Sequence, residues 1–138
     1  MSGPDPAVVW RRVEEWPRHA AEDERIARGC LGFDPPSLGG AAFHCQQAIE
    51  KLLKAFLDRN SVDFRKTHDL DALGQSVTAH FPSISPLTAF LPGWTTWGVA
   101  YRYPGEPGPE PEPSPEDLAQ ALNLIVRLAE ALRVLGPP

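Results

Sequence analysis

The sequence predicts an all-α protein, an up-and-down bundle of four to five helices forming a single domain over residues 1–138. Three observations carry this. Apolar residues recur at three- and four-residue spacing in one segment after another, which is the period of a helix face. Proline-rich breaks separate those segments, and no run alternates apolar and polar residues for long enough to be a strand. The final segment opens with a complete helix-start signature, Ser114, Pro115, Glu116 and Asp117.

The first helical pattern covers residues 6–29, with Val9, Trp10, Val13, Trp16, Ala20, Ile26 and Ala27 on its apolar side. Pro17 falls inside it and should bend or split the helix, because it lacks an N–H and its ring crowds the preceding turn. The second covers residues 39–59, where Cys45, Ala48, Ile49, Leu52, Leu53 and Phe56 define a broad buried face. Thr67 is placed to cap a third helix over residues 68–81, with a Leu70, Leu73, Val77 and Phe81 stripe and Pro82 as its stop. A fourth helical region spans residues 86–101 with an interruption at Pro92-Gly93. Residues 104–115 hold six prolines and read as an exposed, extended loop. The last helix then buries Leu118, Ala121, Leu122, Ile125, Leu128, Ala129 and Leu132.

The composition is globular, 42% hydrophobic and 22% charged, and the length supports a core without staples. A net charge of -5 argues against a protein that coats nucleic acid by bulk electrostatics, though a local basic site remains open. Cys30 and Cys45 form no CxxC pair, suit a reducing cytoplasm and read as small buried apolar residues. The first residues lack a signal-peptide pattern, and no stretch approaches the ~18 apolar residues of a membrane span. A soluble cytoplasmic protein is expected, with no metal site and no cofactor.

Polar residues stand close to the apolar stripe of the second helix. Gln46, Glu50 and Lys54 share one edge, and Gln47, Lys51 and Lys54 the next. Glu50 and Lys54 are four apart in the orientation that favours a surface pair, so periodicity alone predicts a solvated face. His68-Asp69 lies at a helix start, where Asp69 complements the dipole or the pair serves an anion site. Arg102 sits between Tyr101 and Tyr103 at a helix end. The dipole explains a cation there, but an Arg fork between aromatic rings also holds phosphates and bases. Trp94, Trp97 and Tyr101 have helical spacing and read as core before partner surface.

Taken in order, "EEWPRHAAEDERIA", "FHCQQAIEKLLKAFL", "THDLDAL" and "YRYPGE" before a final amphipathic helix resemble the HEPN domain (higher eukaryotes and prokaryotes nucleotide-binding) over nearly the whole chain. The resemblance implies an up-and-down helical bundle, commonly a homodimer. It implies nucleotide binding, and in many members ribonuclease activity or a partnership with a small nucleotidyltransferase in toxin–antitoxin pairs. The recurring Gln and Glu-Lys positions of the family fall here on Gln47, Glu50 and Lys51. Ribonuclease members carry an Arg followed about four to six residues later by a His suited to acid–base work on a 2′-hydroxyl. Here no His follows Arg102. The Arg12 to His19 spacing lies in the first helix, away from the family position, and reads as coincidence.

The leading expectation is therefore a nucleotide- or RNA-binding module that works with a partner such as a minimal nucleotidyltransferase, without catalysis of its own. Its ligand-binding candidates are Gln47, Glu50, Lys51, His68, Asp69, Tyr101, Arg102 and Tyr103. A divergent metal-independent endoribonuclease using Arg102 and His68, and a structural dimeric interaction domain, are the alternatives.

Overall fold

The computed structural model describes residues 3–64, 69–89, 91 and 113–138. Its elements are helices, in the order α1 (Pro6–Val13), α2 (Glu15–Leu31), α3 (Leu38–Arg59), α4 (Leu70–His80), a 3-10 turn (Pro82–Ile84), α5 (Ser85–Thr88) and α6 (Pro115–Leu135). The all-α bundle expected from the apolar periodicity is what forms.

The first helical pattern splits, as Pro17 requires, but the break comes at Glu14, ahead of the proline. Pro17 occupies the first turn of α2, where a missing N–H costs least. Its ring crowds the carbonyl four residues back, at Val13, and that is where α1 stops. Asp5 caps α1 through Ala7 N, 2.9 Å away. The kink is tied down at α3. Asp58 accepts from Arg12 Nη2 at 2.7 Å and from the Trp16 indole Nε1 at 3.0 Å. Arg12 is thus engaged in an interhelical ion pair while His19 is exposed, so no shared site joins them.

α3 is the centre of the molecule. It packs on α1, α2, α4 and α6, and each of its residues is buried or half-buried. α2 and α3 form the most extensive pair, meeting through the small side chains Ala20, Ala27, Ala41 and Ala48. Gly40 allows the close approach where the α2–α3 loop closes. A Cβ there would stand 2.9 Å from Cys30 Sγ and 2.8 Å from Ser37 Oγ, the cap of α3. On its other side Ile49, Leu52, Leu53, Phe56 and Leu57 meet Leu118, Ile125, Leu128 and Leu132 of α6 in one apolar core. Cys45 lies in that core, and burial pushes its thiol up to about 12; Cys30 is half-buried.

Two expectations about local structure need correction. The cap of α4 is Asp69, not Thr67: the Asp69 carboxylate accepts from Asp71 N at 3.0 Å and Ala72 N at 3.3 Å. Both residue types cap well, and an ionised carboxylate adds attraction to the helix dipole. The region after Pro82 starts as a 3-10 turn running into the short α5, earlier than the apolar pattern suggested. Pro92-Gly93, Trp94, Trp97 and most of the proline-rich 104–115 loop lie outside the described residues.

α6 begins as its sequence dictates. Ser114 Oγ accepts from Asp117 N at 3.1 Å, and Asp117 Oδ2 accepts from Ser114 N at 3.0 Å. Each side-chain oxygen satisfies a backbone N–H that would otherwise go unpaired. Ser114→Ala should cost about 1 kcal/mol, read as a lower denaturant midpoint at unchanged slope. At the far end Gly136 takes a left-handed φ of 68°. Arg59, the last residue of α3, grips that end, donating to Gly136 O at 2.7 Å and Pro137 O at 2.9 Å.

Candidate functional site

The polar residues of α3 do not form the solvated face that periodicity predicted. Gln46 is 1% exposed, Glu50 5% and Lys54 9%. One helix's pattern shows which residues could be covered by a single neighbour, and α3 has neighbours on every side. The Glu50–Lys54 pair forms, with Nζ donating to Oε2 at 3.0 Å, but it does so inside the protein. The pair continues along the helix edge. Gln46 Nε2 donates to Glu50 Oε1 at 3.2 Å, and Gln47 Nε2 donates to Gln46 Oε1 at 2.7 Å. The Lys54 ammonium also stands 5.8 Å from the centre of the Phe64 ring, a cation–π distance. A buried ion pair survives when each charge is met by further donors, acceptors or rings, and this ladder supplies them.

A second cluster joins α3 to α2. Asp23, 7% exposed, lies on the small-residue stripe of α2 between Ala20 and Ala27. Its Oδ2 accepts from Lys51 Nζ at 2.5 Å and its Oδ1 is 2.9 Å from His44 Nδ1. His44 and Lys51 are seven apart, so they share one face of α3 one above the other. Both are half-buried, with side chains 25% and 29% exposed. The Phe43 ring meets the His44 imidazole edge-to-face at 5.1 Å. Gln47, half-buried, lies between them on the same helix.

The arrangement brings Gln47, Glu50 and Lys51 onto one polar arc of the central helix. Asp69 is elsewhere, capping α4. His68, Tyr101, Arg102 and Tyr103 lie outside the described residues. Among the described residues no group of three or more His, Cys, Asp or Glu is arranged to hold a metal ion, and no helix is long and apolar enough to cross a membrane.

Sequence reasoning passed over Asp23 and His44. The signal for Asp23 was present: Ala20, Asp23 and Ala27 fall on one helical stripe, so a carboxylate sits where the helix is buried. The signal for His44 is its register with Ala48 and Lys51, visible only once α2 is known to cover that face.

The chain matches a family model described as the HEPN domain over residues 13–135. That span takes in α2, α3, α4 and α6, the helices that make the core and both polar clusters. No curated protein matches it significantly. Family pattern and helical architecture agree over most of the molecule, and the chain belongs to the HEPN domain family.

Proposed function

We propose that this protein is a nucleotide- or RNA-binding module that acts as a homodimer with a partner of the minimal nucleotidyltransferase type, in a toxin–antitoxin pairing, and is not itself catalytic. The observation that carries the reading is the polar arc on the central helix. A helix enclosed by neighbours spends its polar positions on Gln47, Glu50, Lys51 and His44, and Lys51 and His44 keep part of their surface open. These groups are paired within the protein, and what supports a ligand role is that His44 and Lys51 keep open surface side by side on one helix face at the edge of the core. The absence of a His after Arg102 in the sequence supports binding over strand cleavage.

Arg102 provides the test. Arg102→Ala should weaken binding of adenine nucleotides or a short single-stranded RNA by roughly ten- to a hundredfold, with the melting temperature within a few degrees of wild type. Arg102→Lys should restore only part, because an ammonium lacks the planar fork. Calorimetric titration and thermal melting on the same samples read both. A loss of stability with unchanged affinity per folded molecule removes Arg102 from the site. Failure of the wild type to bind nucleotide or RNA removes the reading as a whole.

A further inference from the structure

The shared carboxylate fixes the hydrogen-bonding polarity of His44. Asp23 receives the Lys51 ammonium on Oδ2, a contact that favours the ionised carboxylate, and an ionised carboxylate only accepts. The contact between Oδ1 and His44 Nδ1 at 2.9 Å then requires the proton on Nδ1. In the neutral imidazole this leaves Nε2 as a lone-pair acceptor. Among the described residues Nε2 has no hydrogen-bond partner, and no buried side-chain nitrogen or oxygen there lacks one. Nε2 is therefore open to solvent, an oriented acceptor on a ring that shares Asp23 with the Lys51 ammonium.

An acceptor and an ammonium gathered by one carboxylate complement a hydroxyl that neighbours an anionic group. We propose that His44 is a specificity-determining residue of the candidate site. Its Nε2 accepts a hydrogen bond from a sugar hydroxyl, Lys51 meets the adjacent phosphate, and Asp23 is the positioning residue for both. The ligand class is a ribonucleotide unit whose 2′-hydroxyl stands beside its 3′-phosphate, the feature that distinguishes RNA from DNA. This rests on the nucleotide-binding reading above and adds the chemical group that is read. Asp23 stays outside the ligand contact, since both of its oxygens are turned to the two nitrogens and its side chain is only 10% exposed. The same pairing of an acid with the far nitrogen of an imidazole sets tautomer and orientation in hydrolytic triads and metal sites.

The test compares adenosine 3′-monophosphate with its 2′-deoxy counterpart, by calorimetry and by ¹⁵N resonances of the His44 ring in the full-length protein. Wild type should bind the ribonucleotide on the order of tenfold more tightly, the effect of one hydrogen bond. His44→Ala should bring the ratio near one with both ligands still bound, and Lys51→Met should weaken both. In Asp23→Ala the ring should lose its Nδ1–H form and the ratio should fall. Equal affinities in wild type, or a ratio that survives His44→Ala, overturn the inference and leave the nucleotide-binding reading standing. Binding of neither ligand fails that reading itself. Should a variant fail to fold, the wild-type spectrum decides: His44 nitrogens that shift with the ribonucleotide and not with its deoxy form support the proposal, and nitrogens that stay put overturn it.

Discussion

Glu50→Ala should destabilise the protein by about 3–5 kcal/mol, the cost of leaving a buried partner charge uncompensated. The charge left behind is the Lys54 ammonium, whose side chain is 11% exposed and whose only described acceptor is the Glu50 carboxylate at 3.0 Å. The Gln46 Nε2 contact with Glu50 Oε1 is lost in the same step. Phe64 offers Lys54 a ring face, but even a desolvated cation–π contact is worth only about 2 kcal/mol and does not replace a carboxylate. Urea unfolding followed by helical circular dichroism measures the loss. Combining Glu50→Leu with Lys54→Met should recover more than half of it, because removing both charges abolishes the desolvation cost together with the attraction. A single-variant loss below about 1 kcal/mol would mean that water reaches Lys54 and that the pair is not sealed.

Phe56→Ala should cost a comparable ~3–5 kcal/mol for a different reason. Phe56 is 1% exposed on the core side of α3, and its ring meets Phe81 edge-to-face at 5.3 Å. Truncation removes transfer free energy and leaves a void that α4 and α6 fill only in part. The two variants differ in their effect on function. Phe56 lies on the opposite side of α3 from the polar arc, so nucleotide affinity per folded molecule should be unchanged in Phe56→Ala. Denaturant midpoints together with titrations below the transition check both statements, and a loss under about 2 kcal/mol would show that the site collapses without a cavity.

What could be read from the sequence was whatever a helix settles within its own turns. The Ser114–Asp117 box, the proline that forces α1 and α2 apart, and the Leu118, Leu122, Ile125 stripe of α6 are contacts over three or four residues, and all are where the pattern put them. The site is not local in this way. Lys51 and His44 reach Asp23 across 28 and 21 residues, and neither helix alone shows that the other covers it. For the same reason the Gln46, Glu50, Lys54 edge looked solvated: periodicity finds one buried face and is silent about a helix buried on all of them. Thr67 and Asp69 show a smaller ambiguity. Two good caps two residues apart compete within less than a turn, and the carboxylate's interaction with the helix dipole decides between them.

The grip of Arg59 on Gly136 and Pro137 joins positions 77 and 78 residues apart through a single side chain. Helix ends ordinarily fray, opening in local fluctuations that cost almost nothing. Here opening of the last turn of α6 is opposed by its tie to the end of α3, the most enclosed helix among the described residues. The amides that close α6 should therefore exchange more slowly than those of a free helix end, and Arg59→Ala should speed them.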